Sequence, residues 1–230
     1  MLKKTAKLKK VQDSTTSIGS YTTVGSYDNL VLNGSLVDPF TNNVSFINNG
    51  YASACSITSA NDTSFITFTI SGTFNNKEIT EQIQGPTPIA DSATTSNLFD
   101  TITGVKAFSQ KYPLNAAFDL GSNRDSIVVL ESNANENCTI LINSPTATTN
   151  WNPTHAVAYG SIDGTVPHTR QELDFGLRSD NLVSLLDSNN LSVNRLQSGS
   201  INVIAHPFKA IIVALTEDVV DSDVLIEITQ

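Results

Sequence analysis

The sequence predicts an all-β protein: an antiparallel β-sandwich module, a second, smaller β-rich unit after it, and an extended N-terminal arm before it. Only 15% of the 230 residues are charged while 39% are hydrophobic, a balance that disordered chains do not have. Thr, Val and Ile recur throughout, and β-branched side chains suit a pleated sheet better than a helix. Short apolar segments alternate with Asn-, Ser-, Gly- and Pro-rich turns, which is typical of a sandwich.

Residues 1–26 are predicted to be a basic, Ser/Thr-rich arm. The net charge of −9 divides into +5 on the first ten residues and −14 on the rest of the chain. The acidic body excludes a protein that wraps duplex DNA, because wrapping needs a broad basic surface. A contact with DNA or with an acidic protein surface would therefore come from the arm, although a merely solubilising terminus is the alternative. The lysines that would make this contact are Lys3, Lys4, Lys7, Lys9 and Lys10.

Residues 27–145 are predicted to form the sandwich domain. Its clearest element lies between Phe65 and Gln84, where apolar and polar residues alternate on both sides of the sequence FNNK at 74–77. That period of two predicts a β-hairpin with one face on a core. Gly85 and Pro86 then end the second strand, since proline cannot donate to a ladder. Further strands are predicted at 30–32, 35–37, 44–47, 99–108, 116–120, 126–131 and 138–143.

Residues 146–230 are predicted to be a second β-rich domain, because a Pro-, Thr- and Asn-rich stretch at 144–153 is typical of a boundary. One helix is predicted from Asp180 to Asp187, where leucines at 182, 185 and 186 have the i, i+3, i+4 spacing of an apolar helix face. Strands are predicted at 156–162, 173–177, 201–205, 210–215 and 224–228.

The sequence predicts no catalytic, metal or cofactor site. His155, His168 and His206 lack the spacing of a helix-borne zinc site. Phosphate-binding loops are missing, and Gly160–Gly164 has its serine in the wrong position for a nucleophile elbow. The carboxylates between residues 217 and 227 do not follow a calcium-loop pattern, so an acidic turn is expected there. We therefore expect a protein without enzymatic activity.

The two cysteines, Cys55 and Cys138, are too few for a disulfide scaffold and have no C-x-x-C spacing. Buried free thiols are the favoured interpretation, and one disulfide between distant strands is the alternative. No apolar run approaches the roughly 20 residues that cross a bilayer, so no membrane partner is expected. No secretion signal is expected either, since lysines occupy the place of its apolar segment.

Four segments, in order, resemble a module that recurs in virion proteins of tailed bacteriophages. They are LVLNGSL at 30–36, SITSANDTSFITFTISGT at 56–73, ITEQIQGP at 79–86 and FDTITGV at 99–105. The resemblance covers residues 27–145, about half of the chain. It departs from the module at 74–77, where an Asp-x-x-Gly-Asn type of turn is expected. The resemblance does not extend to residues 146–230.

The resemblance implies a non-enzymatic structural subunit of the virion, assembled in the host cytoplasm as a homo-oligomer among other virion proteins. We expect a capsid decoration or cement subunit, attached to the head shell through its arm and a sheet edge, because edge strands present unpaired N–H and C=O groups. A neck or tail component, such as an adaptor, nozzle or fibre-base protein, is the first alternative. A carbohydrate-binding β-sandwich is the second, and the aromatic content of 7% counts against it.

Overall fold

The computed structural model describes residues 1–8, 15–22, 27–87, 91–109, 116–132, 136–143, 156–173, 182–187, 199–205, 207–215 and 224–230. Nearly all of its regular structure is antiparallel β, which confirms the predicted fold class. A 3₁₀ turn (Ile47–Asn49) and a short helix α1 (Arg170–Leu173) are the helical elements of these residues. The strands are β1 (Lys3–Leu8), β2 (Gly19–Tyr21), β3 (Tyr27–Leu30), β4 (Val44–Ser45), β5 (Ala52–Thr58), β6 (Ile66–Phe74), β7 (Lys77–Gln84), β8 (Ser92–Thr94), β9 (Thr101–Ser109), β10 (Phe118–Glu131), β11 (Cys138–Asn143), β12 (Ala156–Ser161), β13 (Leu182–Ser184), β14 (Leu186–Asp187), β15 (Gly199–Ile204), β16 (Ala210–Leu215) and β17 (Val224–Thr229).

The chain divides into two compact units. The terminal unit consists of Met1–Val11, Asn48–Tyr51 and Arg124–Gln230, and the hairpin unit consists of Gln12–Ile47 and Ala52–Asn123. The predicted domain boundaries, after residues 26 and 145, fall at the end of one stretch and within another that lie outside the described residues. Those boundaries therefore stay a prediction.

The hairpin unit is a β-sandwich. One sheet has the order β3-β9-β6-β7, with β4 also on β9, and the other joins β8, β5, β10 and β2. Burial along β6 alternates, with Ile66, Phe68 and Ile70 fully buried. Phe68 meets Phe118 of the other sheet edge-on, with ring centroids 4.9 Å apart. The inward rows of the two sheets thus form one apolar core.

The predicted hairpin is present as β6 and β7, in register from Thr67 opposite Gln84 to Phe74 opposite Lys77. The two residues of its turn, Asn75 and Asn76, have φ angles of 49° and 61°. Two central residues at positive φ define the type I′ turn that two-residue hairpins favour, and asparagine tolerates that conformation. The departure from the phage pattern at this turn therefore preserves a tight hairpin.

The terminal unit contains a sheet of order β1-β17-β11-β15-β14 and a second set of strands in the order β13-β12-β16-β10. In the first sheet, burial alternates along β11 and β17, so that Ile140, Ile226 and Ile228 are fully buried while their neighbours are half-buried. All six residues of β16 are buried. One face of the first sheet and both faces of β16 thus lie in apolar surroundings.

Two strands, β1 and β2, lie within the segment predicted to be an arm, and both are built into sheets. β1 pairs with β17, and β2 pairs with β10. Ile18 is fully buried, and its N–H donates to the carbonyl of Leu120 at 3.0 Å. A polar segment cannot offset its ordering entropy alone, but neighbouring strands supply the hydrogen bonds and burial it lacks.

The helix predicted at 180–187 is wrong. Leu182–Ser184 form β13 on β12, and Leu186–Asp187 form β14 on β15, so strand pairing overrides the local leucine spacing. The helix is α1 instead, which begins with a capping box: the Glu172 N–H donates to Thr169 Oγ1 at 3.3 Å and the Thr169 N–H to Glu172 Oε2 at 3.4 Å. The strand predicted at 173–177 begins on the last residue of α1, and its remainder lies outside the described residues.

Two other strand predictions need correction. The strands predicted at 116–120 and 126–131 are parts of one strand, β10. The polar residues in its middle continue the strand because they have bonding partners elsewhere in the chain. Ser122 N–H donates to Ser17 Oγ at 2.9 Å, and Asp125 forms an ion pair with Arg170. The segments at 30–32 and 35–37 are mostly irregular, since β3 ends at residue 30.

Candidate assembly surfaces

The basic strand β1 forms one end of its sheet. Reciprocal bonds between Leu2 and Gln230, at 2.7 and 2.8 Å, extend its ladder with β17. Lys3 and Lys7 are exposed, whereas Lys4 is half-buried on the opposite side, the side of the fully buried Ala6. Lys9 and Lys10 lie outside the described residues. The three described lysines are therefore divided between two faces and do not form one patch.

One of these lysines is paired within the chain. Lys3 Nζ lies 2.7 Å from Glu227 Oε2. Glu227 is opposite Thr5 in the ladder, so this ion pair is diagonal across the two strands. At a partly exposed site such a pair contributes only about 0–1 kcal/mol. It nevertheless leaves Lys7 as the exposed lysine of β1 that is best placed to meet another molecule.

The outer edge of β1 is covered at its centre. Because Leu2 bonds to β17, the N–H and C=O groups of Lys3, Thr5 and Lys7 point away from β17. Gly50, at a φ of +87°, lies so close to Thr5 that a Cβ there would come 2.0 Å from the Thr5 carbonyl oxygen. Only glycine fits this approach. The middle of the β1 edge is thus not open for strand addition.

The other long edge strand is β7, which ends its sheet in the hairpin unit. The Phe74–Lys77 pair closes the type I′ turn, so alternate residues of β7 bond to β6. The N–H and C=O groups of Glu78, Thr80 and Gln82 therefore point outward. No strand among the described residues pairs with this edge.

The exposed face of the same sheet is polar and ordered. Its hydroxyl and amide groups bond to each other across the strands, and Glu78 and Lys106 add one charge of each sign to the face. Phe108 adds a ring that is 46% exposed. The bonded pairs are Gln84 with Thr67 at 2.9 Å, Gln82 with Thr69 at 3.3 Å, Ser71 with Thr80 at 3.3 Å and Thr73 with Thr101 at 2.6 Å.

Glu81 lies on the inner side of β7, on the same parity as Ile79 and Ile83. Its carboxylate accepts the N–H of Ser96 at 2.7 Å and the N–H of Asn97 at 2.8 Å. It thereby holds the loop after β8. Glu81 was not among the residues predicted from the sequence, although a charged residue on the apolar parity of a strand is the signal that could have identified it.

Phe40 is the most exposed internal hydrophobic residue among those described, at 96%. It stands at a tight turn in which Asp38 Oδ1 accepts the Phe40 N–H at 2.8 Å. The same turn is closed by Asn42 N–H to the Asp38 carbonyl and by Asp38 N–H to the Asn43 carbonyl, both 2.8 Å. An aromatic ring on a rigid turn is typical of a contact residue, because little entropy is lost when it binds.

The histidines and charged residues near α1 serve the fold. His168 Nδ1 lies 3.2 Å from Glu172 Oε2, and Arg170 anchors α1 to Asp125 of β10. His155 and His206 lie outside the described residues. Within the described part of the chain, no three His, Cys, Asp or Glu side chains lie together as a metal site would require. No helix of that part is long and apolar enough to cross a membrane.

The favoured interpretation of the cysteines is confirmed. Cys55 and Cys138 are both buried and unbonded. Burial raises the pKa of each thiol to about 12, and for Cys55 the nearby Glu81 charge adds to the effect. Both thiols are therefore protonated and unreactive in the folded protein at neutral pH.

Comparison with known proteins adds no relative. No protein-family model matches the sequence, and no curated protein matches it significantly.

Proposed function

We propose that this protein is a non-enzymatic structural subunit of a tailed-bacteriophage virion, and specifically a decoration or cement subunit on the head shell. The observation that carries the proposal is the long, regular edge strand β7 in a sandwich whose segments at 30–36, 56–73, 79–86 and 99–105 resemble a virion module. Sheet edges are a general means of joining subunits, because each N–H and C=O can bond to a neighbouring chain.

The contact with the shell is proposed to involve the exposed face of β1. Lys7 is exposed there, and its charge suits an acidic surface on a capsid protein or packaged DNA. Lys3 is already paired with Glu227 within the chain, so it contributes less to this contact. In the hairpin unit, Phe40 on its hydrogen-bonded turn is proposed as a separate apolar contact of the kind that dominates protein interfaces.

The proposal is tested by adding purified protein back to particles assembled without it. A shell subunit should bind to saturation at hundreds of copies per particle. The variant Lys7→Gln should bind several-fold more weakly, with a shallower dependence on salt, because an interfacial charge contributes up to about 1 kcal/mol at an exposed site. Lys209→Gln is the matched control, since Lys209 is also exposed and belongs to the same unit but lies outside β1.

Two outcomes would contradict a decoration role on the head shell. Saturation at about six to twelve copies would place the subunit at the neck or tail, as an adaptor, nozzle or fibre-base protein. No binding at any concentration would overturn a virion role.

A second candidate function, binding of a neutral glycan, is favoured by the outer face of the β7 sheet. Its hydroxyl and amide ladder lies beside the exposed ring of Phe108, a combination that suits sugar hydroxyls and a sugar ring. Binding on a glycan array that is abolished by Phe108→Ser would support this candidate.

A further inference from the structure

We propose that two copies of the chain pair through their β7 strands, antiparallel about a two-fold axis at Ile79. The inference rests on the assembly function proposed above. It names the occupant of the β7 edge, with which no other described strand pairs: a second copy of the same strand. The β7 pair would join two five-stranded sheets into one continuous sheet.

The backbone geometry permits this register. Glu78 and Thr80 direct their N–H and C=O groups outward, because Ile79 bonds to Gly72 of β6. In the two-fold arrangement Glu78 of each copy faces Thr80 of the other, which forms four main-chain hydrogen bonds. Ile79 then lies opposite Ile79 of the other copy as a non-hydrogen-bonded pair. In an antiparallel ladder such pairs are closer than hydrogen-bonded ones, with Cα atoms about 4.5 Å apart.

The side chains select this register because their pattern is self-complementary. Along the inner parity of β7 the first three residues are Lys77, Ile79 and Glu81, which are positive, apolar and negative, and Ile83 follows them. An antiparallel copy centred on Ile79 therefore places Lys77 opposite Glu81 twice, with the two isoleucines between them. Glu81 already accepts two backbone N–H groups, but a carboxylate has about four acceptor positions, so Lys77 of the other copy can add to them.

A different register loses this complementarity. Centring the axis on Glu81 would pair more residues, yet it would place the two Glu81 carboxylates opposite each other, and like charges directly opposite destabilise a sheet. The Ile79 register is short, so the pair is expected to be weak in solution and to be strengthened when many copies are held on one surface.

Cysteine trapping tests the register directly. In Ile79→Cys, the Cα atoms of the two new cysteines should lie about 4.5 Å apart, within the 4.4–6.8 Å range that a disulfide requires. Mild oxidation should therefore produce a covalent dimer on non-reducing gels. Ile83→Cys is the matched control, because Ile83 has the same parity and the same half-burial but faces the turn of the other copy. The native thiols do not compete, since Cys55 and Cys138 are buried.

The expected result is a dimer yield at least five-fold higher for Ile79→Cys than for Ile83→Cys, reduced several-fold when Lys77→Glu is added. Equal yields, or none, would overturn the proposal. As a check without cysteines, Lys77→Glu in the native background should weaken concentration-dependent dimerisation in analytical ultracentrifugation, and an unchanged or absent dimer would also contradict it. Both experiments use purified protein, so failure here is distinguishable from failure to bind particles.

Discussion

Gly34 shows how a single residue sets the path of the segment after β3. The N–H groups of Asn33 and Gly34 both donate to the Ile18 carbonyl, at 3.1 and 3.0 Å, and Leu36 N–H donates to the Ser17 carbonyl at 2.9 Å. A Cβ on Gly34 would come 2.2 Å from the carbonyl carbon and oxygen of Ser17. Asn33 and Gly34 lie between two segments predicted to be strands, but the need for glycine comes from this close approach of another segment.

Replacing Gly34 by alanine should destabilise the hairpin unit by about 1–3 kcal/mol, because backbone atoms must move to admit the methyl group. The urea midpoint, followed by circular dichroism, measures the loss. Gly104→Ala is the control, since a Cβ at Gly104 meets nothing within 4 Å. Equal midpoints for the two variants would refute the role assigned to Gly34.

At the scale of elements, Glu81 connects β7 to the loop after β8 through two backbone N–H groups. In Glu81→Gln only one oxygen can accept, and the charge is lost, so we expect about 1–3 kcal/mol less protection of this loop. Amide hydrogen exchange of Ser96 and Asn97 is the measurement. Glu78→Gln, on the exposed parity of the same strand, should leave both amides unchanged. Unaltered exchange in Glu81→Gln would show that the loop is held by other contacts.

Elements with a strong local pattern could be predicted from the sequence, and elements defined by distant partners could not. β6, β7, β11 and β16 follow alternation or an apolar run, and their predicted bounds agree with the structure to within about a residue. By contrast, the polar middle of β10 is a strand because Ser17 and Arg170 bond to it. No local periodicity reports such partners.

The candidate sites divide in the same way. The five lysines could be found by counting charge, but their separation onto two faces follows from the pairing of β1 with β17. The hairpin could be found from its alternation, yet its position at the end of a sheet depends on the strand order. Exposure of an edge is a property of the assembled sheet, so the sequence predicted that an edge would matter without indicating which one.

At the scale of the whole molecule, two buried thiols make the free energy of unfolding depend on pH. Burial raises the pKa of Cys55 in the hairpin unit and of Cys138 in the terminal unit from 9.0 to about 12. Below pH 9 the thiols are protonated in both the folded and the unfolded chain, so their stabilising contribution is fully present. Between pH 9 and 12 the unfolded thiols lose protons that the folded ones keep, and stability falls.

We therefore expect the free energy of unfolding, obtained from urea denaturation, to decrease from pH 9 to pH 11, by up to about 1.4 kcal/mol per pH unit for each thiol. Tyr21, whose pKa burial also raises to about 12, adds to the same trend. Cys55→Ala should have a shallower decrease than the native protein in the transition of the hairpin unit. A midpoint independent of pH up to 11, or an identical slope in the variant, would contradict burial of these protons.

The division of charge over the molecule also has a structural meaning. The chain is acidic apart from its first ten residues, and the lysines of β1 are fixed on it because β1 pairs with β17. Charge from Lys7 is thus presented on a fixed strand, which favours a defined contact over a diffuse one.

The most direct test of a virion role is the number of copies of this chain in purified particles whose genome encodes it, measured by mass spectrometry against an isotope-labelled standard. A decoration subunit of the head shell predicts hundreds of copies per particle, retained through density-gradient purification. Absence from such particles would contradict the proposed function.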